Sequence, residues 1–272
     1  MTACECGRPT RHRGICRARY NAMHGLGYQP KVKRRFTVHT AAGKPYVLTE
    51  THPAAVEGRT LFQKRQRPAH EASRLLKDGQ HNRKIGGNVI KGALRGCRVF
   101  TLTLEERATC PRSCAHWLDC YGNVMNWSVR IQPNDSLIPL LDAEVRQLHA
   151  RFKRILIRLH VLGDFFSEDY VAFWARLLDE LPGLHVYGYT ARNGCRVARA
   201  VERMNGQPRC WIRFSDGSED QFRAVTVTSL EQAAEVGAIV CPAQNEPPGK
   251  SISCGSCALC WSTPKTIAFL RH

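Results

Sequence analysis

From about residue 97 onward, short apolar runs alternate with amphipathic helical segments, the pattern that most constrains this chain. "RVFTLTLE" reads as a strand through Val99, Phe100, Leu102 and Leu104. "DSLIPLLDAEVRQLHARF" reads as a helix, with Leu140, Leu141, Val145 and Leu148 at helical spacing. "RILIRLHVLGD" is a strand, and "SEDYVAFWARLLDELPG" a helix with Ser167 as its N-cap, acids in its first turn and Pro-Gly after its end. "LHVYGYT" follows as a strand and "NGCRVARAVERMNG" as a helix, with Asn193 a candidate cap. "RCWIRFS" and "RAVTVTS" are strands, "LEQAAEVG" a helix and "AIVCPA" a last strand. Strands joined by helices imply crossover connections and a parallel sheet. About six strands fit an open doubly wound sheet or an incomplete parallel β/α barrel.

One strand argues for the barrel. In "ILIRLHV", Ile155, Ile157, Leu159 and Val161 share one face, and Leu156, Arg158, His160 and Leu162 the other. A parallel strand covered on both sides is apolar on both faces. Arg158 and His160 depart from that rule, and Arg213 in "CWIRFS" is a second interruption. They mark either a polar, ligand-binding lumen, with Arg158 and His160 as candidate catalytic residues, or an edge strand with a solvated face.

Upstream, the texture is different. Residues 1–98 hold 21 Lys/Arg against 5 Asp/Glu, whereas residues 99–272 hold 19 against 18. Nearly all of the +17 formal charge therefore sits in the first third. Such an asymmetry is the footprint of a polyanionic partner, nucleic acid above all, or of a solvated basic tail. Residues 1–28 form a small Cys/His-rich head. Residues 29–96 form a basic arm or loops with one helix-like stretch, "HEASRLLKDG". Residues 97–240 form the β/α core, and 241–272 a Cys-rich tail site packed on it. No run of about 18 apolar residues is present, so no membrane span is expected. "MTACECGRPT" lacks the apolar centre of a secretory signal, so a cytoplasmic location is expected.

In a reducing compartment, 13 cysteines point to metal or redox chemistry rather than disulfides. Cys110, Cys114 and Cys120 follow the first strand of the core, where the loops of β/α folds build their sites. Three thiolates can hold three irons of a four-iron (4Fe-4S) cluster and leave the fourth open. The alternative is structural zinc completed by His116. Cys241, Cys254, Cys257 and Cys260 can close a second site, a second 4Fe-4S cluster or zinc. Cys4, Cys6 and Cys16, with His24, could pin zinc in the head, the other reading being a basic start without metal. Cys97, Cys195 and Cys210 stand alone and read as small buried hydrophobes.

The stretch "RVFTLTLEERATCPRSCAHWLDCYG" resembles the opening strand and cluster loop of the radical S-adenosylmethionine (SAM) superfamily. "IRLHVLGDFFSEDYVAFWARLL" is similar to its second strand and following turn, and "HVYGYTARNG" to its third. That resemblance implies that Cys110, Cys114 and Cys120 bind the cluster. It also implies that Gly163 and Asp164 meet the SAM amino group, with Thr190 and Arg192 near the other end of SAM. The spacing C-x3-C-x5-C and the turn Leu-Gly-Asp depart from the superfamily's usual C-x3-C-x2-C and Gly-Gly-Glu. The whole layout, with "TCP…C…CYG", "HVLGDFFS" and the Cys-rich tail, also resembles phage and prophage proteins of the gene-product-88 type. Two functions follow as expectations. One is a radical SAM-like iron–sulfur enzyme, served by an electron donor, that modifies a nucleic acid or nucleotide by hydrogen abstraction. The other is a non-catalytic phage-type nucleic-acid-binding protein with structural zinc or iron–sulfur sites. Asp164 has a competing local role as a helix cap, which Ser167 already fills.

Overall fold

The alternating segments build one eight-stranded sheet in a computed structural model that describes residues 46–218, 222–247 and 250–271. Its strands are β2 (Leu76–Asp78), β3 (Arg98–Leu102), β5 (Ile155–Leu159), β6 (Leu184–Thr190), β7 (Cys210–Ser215), β8 (Arg223–Val227), β9 (Ile239–Val240) and β10 (Ile267–Leu270). Their order is β2-β3-β5-β6-β7-β8-β10-β9. Every pair is parallel except β2 with β3. Two further strands, β1 (Gln66–Pro68) and β4 (Arg130–Gln132), pair separately. The fold is therefore mixed α/β with a parallel-dominated sheet. Its order is open, and the end strands β2 and β9 do not pair with each other.

After a short helix α1 (Pro53–Glu57), helices α2 (Leu137–Phe152), α3 (Glu168–Glu180), α4 (Arg196–Asn205) and α5 (Leu230–Glu235) connect these strands. All pack on one face, here the helix face, where Ile155, Ile157, Leu159, Val186, Ile212 and Phe214 meet Trp174, Leu177 and Val201. Each such side chain, fully removed from water, contributes roughly 1.5–3 kcal/mol. Ser167 caps α3 by accepting the Tyr170 N–H at 3.2 Å. On α2 the buried stripe is Leu137, Leu141 and Val145, while Leu140 turns outward. The cap of α4 is Cys195, whose sulfur accepts the Ala198 N–H. Asn193 instead donates to the Ser215 carbonyl. Among the described residues, no helix is long and apolar enough to cross a membrane.

Two segments depart from the sequence expectation. "HEASRLLKDG" is not a helix. Glu144 on α2 accepts the N–H groups of Leu75 and Leu76 at 2.8 and 3.2 Å, and Leu76–Asp78 pairs with Phe100–Leu102. A tertiary carboxylate and a strand partner thus override local propensity. The second departure is β10, which takes its place between β8 and β9.

Candidate metal centre

The loop after β3 carries the first cysteine group, and three consecutive charged residues fix its path. Glu105 receives Arg59 Nε at 2.7 Å and the Thr60 N–H at 3.2 Å. Glu106 forms a fully buried pair with Arg130, at 2.8 and 3.1 Å, and accepts the Thr60 hydroxyl at 2.7 Å. Arg130 also donates to the carbonyls of Gly122, Met125 and Ser128. Arg107 adopts the left-handed conformation, φ 64°, and donates to the Trp117 carbonyl and to Asn123. These residues escaped the sequence reading because charged side chains default to solvent. The run Glu-Glu-Arg directly after a strand and before the cysteines was the available signal.

The loop brings Cys110, Cys114 and Cys120 near one another, with Asp164 beside Cys110 and Cys114. Burial pushes the Cys110 thiol well up, and Asp164 and Cys120 add to it. Burial likewise raises Cys114, with Asp164 again contributing. Cys120 is pushed up to about 12 by burial, against the Gly122 N–H. His116 is held elsewhere, between Asp119 at 3.0 Å and the Thr226 hydroxyl at 2.9 Å. An open cleft of about 580 Å³ reaches Cys110, walled by Arg59, Arg107, Arg112, Trp117 and Gln132.

The residues implied for SAM stand outside that cleft. Gly163 has φ 86°, and a Cβ there would come within 2.6 Å of Thr109 Oγ1 and 2.7 Å of Leu104 Cβ. Its missing side chain lets the turn after β5 lie directly on the cysteine loop. Asp164 is buried and accepts the N–H groups of Phe165 at 2.7 Å and Ala191 at 2.8 Å. Burial raises its carboxyl to about 6, against hydrogen bonds from Thr190, Ala191 and Phe165. Arg192 donates to the carbonyls of Thr109 (2.8 Å) and Phe165, tying together the loops after β3 and β5. These four residues gather at the carboxyl ends of β3, β5 and β6, but none of them lines the cleft.

The second cysteine group covers the face of the sheet away from the helices, here the cysteine face. Cys241, Cys254, Cys257 and Cys260 line one small pocket of about 20 Å³ with Trp261 and Ile267. Helix α6 (Cys254–Cys257) is closed by a Ser253–Ser256 capping box. It docks through backbone hydrogen bonds, Cys254 N–H to the Lys84 carbonyl (2.8 Å) and Gly255 N–H to that of Ile85 (3.0 Å), and by packing of the Cys254 side chain. A Cβ on Gly255 would fall 2.2 Å from the Asn88 carbonyl oxygen. Tyr189 places its hydroxyl 2.9 Å from the Cys260 sulfur.

Arg158, Tyr187, Tyr189 and Arg213 are neighbours in register on this face. Arg158 lies over the rings of Tyr187 and Tyr189, at 5.9 and 5.2 Å, and its Nε has no acceptor among the described residues. Arg213 is fully engaged, donating to the carbonyls of Cys260, Arg223, Lys265 and Thr263. It clamps the tail segment rather than facing a lumen. His160 does not share the face of Arg158, because β5 ends at Leu159 and the alternation ends with it. Its Nε2 meets the Tyr170 hydroxyl at 3.0 Å and its ring packs on Phe165, within the helix-face core.

Among the described residues, no three Cys, His, Asp or Glu side chains converge closely enough to hold one metal ion. Cys97 and Cys210 are buried as expected, whereas Cys195 is only half-buried. Cys4, Cys6, Cys16 and His24 lie outside the described residues.

Comparison with known proteins adds the family. No solved structure matches the chain. The Gene 88 protein of Mycobacterium phage D29 is 27% identical over 129 residues, covering 42% of this chain and 54% of that protein. The Gene 88 protein of Mycobacterium phage L5 is 27% identical over 128 residues, with the same coverage. The chain spans about half the length of the curated relatives it matches. The family model "Gene product 88" matches residues 74–263, a span that contains both cysteine groups. The chain belongs to the gene product 88 family.

Proposed function

We propose that the protein is an iron–sulfur enzyme of the radical SAM-like kind, which modifies a nucleic acid or nucleotide by hydrogen abstraction. The observation that carries this reading is the placing of Cys110, Cys114 and Cys120 in one loop after a parallel strand, with Asp164 beside Cys110 and Cys114 and an open cleft reaching Cys110. In parallel α/β folds the carboxyl end of the strands is where ligands bind. The three thiols share no focal point for one ion, and His116 is committed to Asp119 and Thr226. A cluster of several irons, held by three thiolates with one iron free, is the centre that the resemblance to the radical SAM superfamily implies for these residues. Burial opposes thiolate formation at all three positions, so a cationic centre is what would hold them deprotonated. When bound, the cluster would supply one electron, and SAM the hydrogen-abstracting group.

The chain's own residues take up the remaining work. Asp164 spends its acceptors on Phe165, Ala191 and Thr190, and a carboxylate has about four sites. The one left over suits an ammonium. Arg158 offers an uncommitted Nε for an anionic group of the substrate. Arg192 and Gly163 fix the turn that carries Asp164. The basic residues 1–98 would hold the polyanion, and an external electron donor is required.

A second reading, a phage-type nucleic-acid-binding protein with purely structural sites, draws support from the tail. Its pocket has room for about one water, nearer to one ion than to a four-iron cluster. Purification without oxygen, with iron, zinc and sulfide analysis and a visible spectrum, separates the two. The enzyme reading expects a brown protein that loses about one cluster in the Cys110/Cys114/Cys120→Ala variant. A colourless wild type with zinc as its only metal overturns it.

A further inference from the structure

We propose that Trp127 and Arg65 form a stacking platform for an unpaired base of a single-stranded nucleic acid, on the rim of the cysteine loop. The inference rests on the nucleic-acid part of the proposed function and gives it a surface.

Trp127 is 79% exposed. A lone exposed apolar side chain needs no explanation. Here three follow Cys120 at three-residue spacing: Tyr121 (47%), Val124 (59%) and Trp127. The 3-10 turn Tyr121–Val124 sets the first two on one side. The display is anchored. The fully buried Arg130 donates to the carbonyls of Met125 (2.9 Å) and Ser128 (2.6 Å), which bracket Trp127. A buried ion pair thus holds an indole out in water.

The cations lie on the adjoining segment. Arg65 places its guanidinium 6.0 Å from the Trp127 ring centre. Lys64, Arg65 and Arg67 are exposed, and none of them pairs with a carboxylate among the described residues. An aromatic face beside exposed cations that pair with no carboxylate among the described residues fits a ligand that is both anionic and π-faced. Single-stranded nucleic acid is that ligand, because each nucleotide brings a phosphate and a free base. A duplex hides its base faces in its own stack, and a lipid headgroup or acidic peptide brings charge without the face. The rim also leads inward, since Tyr121 lies close to Arg158, Cys120 and Cys110.

The experiment is anisotropy of a short labelled oligonucleotide, single-stranded and duplex, on the full chain at several salt concentrations. Trp127→Ala should bind the single strand roughly tenfold more weakly and leave duplex binding unchanged. Arg65→Ala should flatten the log–log salt slope for the single strand by about 0.7, one phosphate contact. Both side chains are exposed, so melting temperatures should hold. If the wild type binds and Trp127→Ala binds as tightly, or loses both forms equally, the platform is wrong and the nucleic-acid reading stands. If the wild type binds neither form, both are wrong.

Discussion

The two faces of the sheet are built to different rules. The helix face is a continuous apolar layer, in which Trp174, Leu177, Ile157 and Phe214 are fully covered by α2, α3 and α4. The cysteine face carries Arg158, Tyr187, Tyr189 and Arg213, and it is covered by loops and a one-turn helix that dock through backbone hydrogen bonds. Apolar packing is undirected and tolerates hydrophobic exchange, whereas a cover held by directed bonds to named carbonyls fixes where each thiol sits. One face supplies stability and the other placement.

The comparison breaks first if its strongest side is weak. Trp174→Ala on the helix face should cost about 3–5 kcal/mol in chemical denaturation and leave the metal content per folded molecule unchanged. Arg213→Met, on the other face, should cost about 3 kcal/mol, since four backbone carbonyls lose one charged donor. If the proposed metal is there, this variant, unlike the tryptophan one, should also lower the amount bound at the tail cysteines. Equal metal retention in both would erase the distinction.

A third test uses pH. Burial, with Arg158 nearby, depresses His160 to about 3. The folded pKa lies below the unfolded value of about 6.5, so the unfolded chain binds the extra proton between them. Stability is therefore complete above about pH 6.5 and falls as pH drops toward 3, by about 1.4 kcal/mol per pH unit for this group. His160→Phe should remove that increment from the slope of stability against pH. A slope unchanged by the substitution would take His160 out of the packed helix-face core.

A smaller structural effect than at Trp174 is expected where the proposed chemistry is greatest. Asp164→Asn keeps the shape but turns one of the two oxygens that accept Phe165 and Ala191 into a donor, so it should cost about 1–3 kcal/mol, while SAM binding by calorimetry should fall sharply in the protein that remains folded. Unchanged SAM binding would remove Asp164 from the ligand site.

The helix face was legible because its signals are local and redundant. Ser167 followed by two acids and an apolar period announces α3, and the structure places that helix within a residue of its expected start. Strands β5, β6 and β7 were legible for the same reason. What failed was set by distant partners. "SRLLKDG" has helical texture, yet Glu144, 68 positions or more away, takes its N–H groups. "TIAFL" is a short run after a proline, and only its place between β8 and β9 makes it a strand. Of the candidate site, the grouping of Cys110, Cys114 and Cys120 with Asp164 was readable from motif order. The buried Glu106–Arg130 pair that shapes the loop was not, since no pattern in one chain announces a charge that will be enclosed.

The insertion of β10 sets an order of assembly. In the sheet β9 pairs with β10 alone, and β10 lies between it and β8. Ile239–Val240 is synthesised before its partner, and Cys254, Cys257 and Cys260 are all made in the interval. Cys241 takes its place only when its N–H reaches the Ala268 carbonyl, at 2.8 Å. In the finished sheet Cys241 is therefore tied to the strand at 267–270, which follows the other three tail thiols in the chain. A nascent or clipped chain that lacks this strand presents three neighbouring thiols and one stray.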